Sequence, residues 1–109
     1  MSFIHVLLDG ERISFDKLSH VSLIEPFIDK AVQRGNFTIL EKKYHQFEPY
    51  GVTGFYLLSE SHISVHTWPE LGKIRIDIFS CSKHENVQNA VLELQKHFEN
   101  HLQEKKIER

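Results

Sequence analysis

Two neighbouring segments of the sequence, 62–68 and 73–79, alternate their side chains with a period of two, as β-strands do. In the first, one face carries His62, Ser64, His66 and Trp68, and the other carries Ile63, Val65 and Thr67. In the second, one face carries Ile74, Ile76 and Ile78, and the other carries Arg75, Asp77, Phe79 and Cys81. This pattern predicts a sheet with one aliphatic face that helices cover. The opposite face is a poor core and suits an active site or an interface.

Three more segments have strand character, namely 3–8, 37–44 and 54–59. Short connections containing Gly51, Pro69 and Gly72 favour antiparallel pairing. The charged segment 103–109 is expected to fray.

Two segments have helical periodicity. Their apolar positions are Ile24, Phe27, Ile28, Ala31 and Val32 in the first, and Val87, Ala90, Val91, Leu94, Phe98 and Leu102 in the second. Pro26 is expected in the first turn of the first helix, Gly35 at its C-terminal cap, and Asn86 at the N-cap of the second helix. The order β-α-β-β-β-β-α predicts an α+β fold, a two-layer sandwich of an antiparallel sheet with both helices on one face.

The bulk properties exclude several classes of function. A chain of 109 residues fits one compact domain, and a formal net charge of -2 gives no electrostatic basis for binding nucleic acid. No apolar run is long enough to cross a bilayer, and the first residues lack the basic flank and cleavage site of a secretory signal. Cys81 is the only cysteine, so no internal disulfide forms, and the expected location is the reducing cytoplasm.

Three short segments carry the chemistry. They are Gly-Val-Thr-Gly at 51–54, Ser-Glu-Ser-His-Ile-Ser-Val-His-Thr-Trp-Pro-Glu at 59–70, and Asp-Ile-Phe-Ser-Cys at 77–81. Together they closely resemble the hallmark of the prokaryotic S-adenosylmethionine decarboxylase proenzyme family. About a dozen positions at fixed spacing match, which is far more specific than a lone short motif.

The resemblance implies a proenzyme that cleaves itself between Glu60 and Ser61, giving a β chain of residues 1–60 and an α chain of residues 61–109. Ser61 would become a covalent pyruvoyl group, with no pyridoxal phosphate and no metal. A ketone at a new N-terminus condenses with the substrate amine to a Schiff base and accepts the electrons that CO2 leaves behind, which no ordinary side chain can do. The product would supply the aminopropyl group for polyamine (spermidine) biosynthesis.

The resemblance also implies roles for other side chains. His66 would assist processing, supported by the Thr53 hydroxyl where the family usually has serine, and Cys81 would be the proton donor after decarboxylation. Substrate contacts are implied for Phe47 and Trp68 on the adenine and Glu70 on the ribose hydroxyls. The family precedent favours a homodimer of processed protomers.

The match weakens in three places. Leu7-Leu8-Asp9-Gly10 lacks the Gly-Cys pair with which the family's first strand usually ends, and Ser82 stands where glycine is common. The helix that follows lacks the family's usual opening residues. Two alternatives therefore stay open. One is a pyruvoyl-dependent arginine or ornithine decarboxylase, to which Asp9 would offer a carboxylate. The other is an unprocessed, non-catalytic homologue that acts as a binding subunit.

Simpler explanations exist for the same residues. His62 and His66 have a spacing that would suit a metal on a helix, but on a strand they lie about 13 Å apart, so no metal site is expected. For Cys81 the simpler explanation is a buried, small hydrophobic residue. For Phe47 and Trp68 it is a place in the core or a dimer contact, and for Glu70 it is a turn. Gly51 and Gly54 are expected to be structural.

Overall fold

The computed structural model describes residues 3–109, which form a six-stranded antiparallel sheet covered on one face by helices. The strands are β1 (Ile4–Gly10), β2 (Ile39–Gln46), β3 (Val52–Leu58), β4 (Ser61–Trp68), β5 (Lys73–Ser80) and β6 (Leu102–Glu108). The helices are α1 (Phe15–Leu18), α2 (Val21–Arg34) and α3 (His84–His97), and a 3-10 turn spans Pro69–Leu71. The strand order is β2-β3-β4-β5-β1-β6. The predicted α+β sandwich is confirmed, with one strand and one short helix more than expected.

The core lies between the helices and the aliphatic face of the sheet, as the alternation predicted. Ile63 and Val65 of β4 and Ile76 of β5 are essentially inaccessible to solvent, and the buried stripes of α2 and α3 pack against them. All five predicted apolar positions of the first helix are buried. The sheet's other face, which we call the open face, carries the polar and aromatic side chains of the same strands.

The sixth strand is the main correction. Residues 103–109 were expected to fray, and instead β6 pairs with β1 from Gly10↔Leu102 to Ile4↔Glu108. α3 ends at His97, and the chain reverses through Glu99 and Asn100, whose φ angles of 54° and 63° are left-handed. Leu102 is therefore buried as the first residue of a strand, not as part of the helical stripe.

Two helices begin earlier in the structure than the sequence predicts. α2 begins at Val21, whose N–H donates to the Gln46 side-chain oxygen at 2.8 Å, so Pro26 lies inside the helix and not in its first turn. α3 begins at His84, with Lys83 and not Asn86 at the N-cap. Gly35 does cap the C-terminus of α2, as predicted.

In residues 3–109, no helix combines the length and the apolar character needed to cross a membrane.

Candidate active site

The predicted cleavage position lies at the tip of the β3–β4 hairpin. Leu58 pairs with Ser61, so Ser59 and Glu60 form a two-residue turn between the strands. Glu60 is exposed and Ser61 is half-buried. The Glu60–Ser61 peptide bond is thus held by a strand on one side and is open to solvent on the other.

Cys81 holds the carbonyl group of this peptide bond. β5 ends at Ser80, directly opposite Ser61, and places Cys81 beside the turn. The Cys81 N–H donates to the Glu60 carbonyl oxygen at 3.3 Å, and the thiol donates to the same oxygen at 2.9 Å. Two donors on one carbonyl polarise it and match what a developing oxyanion needs. Cys81 is only partly buried, so it is not a core residue.

The Ser61 side chain points to the helix side of the sheet. Its hydroxyl donates to the hydroxyl oxygen of Ser80 at 2.7 Å, and the Ser80 and Ser82 hydroxyls lie 2.6 Å apart. The motifs do not single out Ser80, and Ser82 stands out in them only as a departure from glycine. The signal was available in the alternation of β5, which places Ser80 on the same side as Ile78, but it needed the Ser61↔Ser80 register to be useful.

The other predicted site residues form a second cluster near the far end of β4. The Thr53 hydroxyl and Nδ1 of His66 are 3.1 Å apart, across a β3–β4 pair. A cavity of about 260 Å³ opens beside them, and its lining includes Phe47, Trp68 and Glu70. All of the residues predicted to contact substrate are therefore together.

This cavity suits a planar group with a polar end. Phe47 and Trp68 are 47% and 39% exposed, so their ring faces are not buried in the core and are available to a ligand. Tyr50 also lines the cavity and was not predicted. The Gly51 φ of 108° needs glycine, as expected for a turn. Gly54 serves differently, because a Cβ there would lie 2.3 Å from the Tyr44 ring.

The two clusters do not meet within one chain. Ser61 and His66 lie on one continuous strand, five residues apart. At about 3.3 Å per residue, their Cα atoms are about 16 Å apart. The structure thus brings Glu60, Ser61 and Cys81 together at one end of β4, and leaves Thr53 and His66 at the other end.

The open face between the two clusters is organised around Asp77. Its carboxylate accepts hydrogen bonds from the ring of His5 and from the Ser64 hydroxyl, the latter at 2.6 Å, and Nε2 of His62 lies 3.6 Å away. Burial alone would raise the pKa of Asp77, but the bonds from Ser64 and His5 outweigh it and hold the pKa below its usual value.

An aromatic row crosses the same face, where His62 stacks between Phe55 and Phe79 with ring centroids 5.7 Å from each. Phe55 and Leu57 are 45% and 43% exposed. Large apolar side chains exposed next to one another on one face mark an interaction surface, so the open face has the character of an interface.

Other candidate groups lie elsewhere. Asp9, the carboxylate considered for a cationic substrate, lies 3.4 Å from Arg75, which pairs with His66 across β4 and β5. It is five residues along β1 from Ile4, the residue that pairs with Ser80, so it is far from the cleavage turn. A further cavity of about 270 Å³, lined by Arg12, Lys17 and other residues, contains none of the predicted site residues. Within the described part of the chain, no three histidine, cysteine, aspartate or glutamate side chains cluster in a way that could hold a metal ion.

Comparisons with known proteins agree with the motif analysis. The family model described as S-adenosylmethionine decarboxylase matches residues 4–109. The S-adenosylmethionine decarboxylase proenzyme of a Sulfurihydrogenibium species is 41% identical over 88 residues, which are 81% of this chain and 66% of the relative. The proenzyme of Methanococcus maripaludis is 39% identical over 92 residues, 84% of this chain and 75% of the relative.

The fold is also similar to that of a solved structure. The crystal structure of the adenosylmethionine decarboxylase from Aquifex aeolicus superposes with a TM-score of 0.86 at 31% identity, covering 98% of this chain and 88% of that one. The chain spans about two thirds of the length of the first curated relatives that it matches, 66% for the Sulfurihydrogenibium protein.

Proposed function

The chain belongs to the S-adenosylmethionine decarboxylase family, and from this we propose that it is a proenzyme that cuts itself between Glu60 and Ser61 and then decarboxylates S-adenosylmethionine. The observation that carries the proposal is the Glu60 carbonyl of the predicted scissile bond, held by two donors of Cys81. The product would be the aminopropyl donor for polyamine synthesis, including spermidine.

Self-cleavage begins with attack of the Ser61 Oγ on the Glu60 carbonyl carbon. A C–O bond forms, the Glu60–Ser61 C–N bond breaks, and the amide becomes an ester with a free amine. Negative charge develops on the carbonyl oxygen, where the Cys81 N–H and thiol already donate. Stabilisation of this kind is usually the largest single contribution to such a step.

The ester then loses the Ser61 Cα proton, and the Cβ–Oγ bond breaks. Oγ leaves with Glu60 as a new carboxylate, and the remaining dehydroalanine tautomerises and hydrolyses, releasing ammonia and leaving the pyruvoyl group. The family resemblance assigns assistance in processing to His66. A base must come within hydrogen-bond reach of the proton it takes. His66 of the same chain is about 16 Å along β4, so we assign this role to His66 of a second copy.

A twofold dimer through the open face meets this requirement. Phe55 and Leu57 and the row of aromatic rings would be covered, as an interface of this character requires. A twofold axis that passes near Ser64, which is midway between Ser61 and His66 on β4, exchanges the two ends of the strand. Each copy's Thr53–His66 pair would then approach the partner's cleavage turn.

The pyruvoyl group would supply the electron sink that decarboxylation needs. Around it, the chain's own residues bind and orient the substrate. Phe47 and Trp68 offer aromatic faces to the adenine and to the positively charged sulfonium, and Glu70 accepts hydrogen bonds from the ribose hydroxyls. Cys81 returns a proton to the substrate carbon. Since this needs a free thiol, we place the enzyme in the reducing cytoplasm.

The test is release of CO2 from carboxyl-labelled S-adenosylmethionine, with arginine and ornithine assayed side by side. We expect turnover of S-adenosylmethionine only, none by Ser61→Ala, and a large loss of kcat in Cys81→Ala measured on protein that has been cleaved. A cleaved wild-type protein that is inert toward S-adenosylmethionine but releases CO2 from arginine or ornithine would contradict the proposed substrate.

A further inference from the structure

A line of three serine hydroxyls leads from the cleavage turn into the protein. Ser61 donates to Ser80 at 2.7 Å, and Ser80 and Ser82 are 2.6 Å apart. Ser80 is fully buried, with no solvent-accessible surface, and Ser82 is partly exposed. Hydroxyls in a buried site are costly unless they are fully hydrogen-bonded, and this line satisfies each one.

The direction of the hydrogen bonds follows from counting donors. A serine oxygen has two acceptor positions and one hydrogen. The Ser80 oxygen accepts from the Ser61 hydroxyl and from the Ser82 N–H at 3.0 Å, so both acceptor positions are filled. The Ser80 hydrogen must therefore point to the Ser82 oxygen. The line is polarised from Ser61 inward, with every hydrogen directed away from the attacking oxygen.

The line ends at a polar cavity. Ser82 and Ser61 both line a polar cavity of about 180 Å³, together with Asn36, Thr38 and Asn86. A cavity of this size with several polar groups has room for more than one water molecule. The Ser82 hydroxyl is thus the contact between the buried Ser80 and solvent.

We propose that Ser80 is a positioning residue for self-cleavage, which aims the Ser61 hydroxyl and, through Ser82, passes its proton to water in this cavity. The inference rests on the proposed function. As Oγ bonds to the Glu60 carbonyl carbon, its proton moves to Ser80, the Ser80 proton moves to Ser82, and the Ser82 proton moves to water. The Ser61 nitrogen takes up one proton from water when its bond to Glu60 breaks, so no proton is gained or lost overall.

This arrangement separates the two proton transfers of self-cleavage. The Ser61 hydroxyl loses its proton within its own chain, on the helix side of the sheet, where Ser80 lies. His66 is on the open face and at the other end of β4, so it is free to act on the later step from a partner. The serine at position 82, where the resemblance expects glycine, supplies the hydroxyl that completes the line.

The experiment measures the cleavage rate of proenzyme made by cell-free synthesis and sampled over time on a gel. Removing a group that transfers a proton typically slows a reaction by about 10²-fold or more, so we expect Ser80→Ala to be about 100-fold slower than wild type. Ser80→Thr, which keeps the hydroxyl, should recover most of the rate. Ser82→Ala should be slowed as well, and its rate in D2O should lose part of the wild-type isotope effect.

Thr38→Ala is the matched control, since the exposed Thr38 lines the same cavity but lies outside both the hydroxyl line and the cleavage turn, and it should cleave at close to the wild-type rate. Wild-type cleavage rates in both Ser80→Ala and Ser82→Ala would overturn the inference alone. A wild-type protein that never cleaves would overturn the proposed function itself. If Ser80→Ala does not fold, Ser80→Thr and Ser82→Ala decide, and an unslowed Ser82→Ala refutes the relay.

Discussion

The cleavage site predicted here needs two copies of the chain, and two inactive variants should therefore rescue each other. The variants are Ser61→Ala, which lacks the nucleophile, and His66→Ala, which lacks the base. Within one chain these residues are about 16 Å apart on β4, whereas proton transfer needs contact at roughly 3 Å. No rearrangement of side chains closes that gap, so each variant expressed alone should stay uncleaved or cleave very slowly.

Co-expression of the two variants with different tags gives a result that can be calculated. Random pairing of equal amounts makes about half of the dimers mixed, and each mixed dimer has one complete site. That site joins Ser61 of the His66→Ala chain to His66 of the Ser61→Ala chain. About half of the His66→Ala chains should be cut, and no Ser61→Ala chain should be cut. Mass spectrometry on the two tagged pools measures both fractions.

A mixture in which the His66→Ala chain stays as intact as it is alone, although both variants fold and pair, would contradict a shared site. His66 would then have no role across the dimer. His101→Ala is a matched control, since His101 lies outside both clusters, and it should cleave fully without a partner variant.

Three further outcomes are expected. Tyr56→Phe removes a fully buried hydroxyl that donates to Asp29 at 2.6 Å and accepts from Tyr44 at 2.7 Å. Urea unfolding should therefore show a free energy of unfolding lower by about 1–3 kcal/mol. A variant as stable as wild type would contradict this. Burial and then the charge of Lys17 lower the pKa of His97 from 6.5, so the unfolded chain binds the proton more readily. The free energy of unfolding should therefore fall as the pH drops below about 6.5, and His97→Gln should reduce that slope; an unchanged slope would show that His97 contributes nothing. Trp68→Ala should raise KM for S-adenosylmethionine with little change in kcat, because in the proposed complex the Trp68 ring contacts the nucleoside and not the reacting carbon. An unchanged KM would remove Trp68 from the proposed site.

The alternation in 62–79 was enough to predict the sheet, its buried face and the side on which the helices pack. Period-two patterning places a side chain on a face without any knowledge of the neighbours. It could not give the strand order, in which β1 separates β5 from β6, because that order depends on long-range pairing.

The terminal strand shows why part of the fold was missed. Leu102 lies four residues after Phe98, a spacing that fits a helix as well as it fits the first residue of a new strand. The reversal depends on left-handed backbone at Glu99 and Asn100, which are not glycine. β6 itself is rich in lysine and glutamate, as an edge strand that must avoid further pairing often is, and this composition resembles a solvated tail.

Motif spacing proposes site residues but not their arrangement. It selects Ser61, His66 and Cys81, and the structure places the Cys81 thiol 2.9 Å from the Glu60 carbonyl oxygen. Spacing along the chain does not show that Ser61 and His66 lie at opposite ends of one strand. Alternation places Ser80 on the helix side of β5, but only the Ser61↔Ser80 register, which brings the two hydroxyls to 2.7 Å, makes it a candidate site residue.

An intact-mass spectrum of the purified protein under denaturing conditions tests self-cleavage directly. We expect two fragments divided after Glu60, with the fragment 61–109 lighter by one ammonia than a chain that begins with serine. A single full-length mass after long incubation, or a fragment that retains an N-terminal serine, would contradict self-cleavage to a pyruvoyl enzyme.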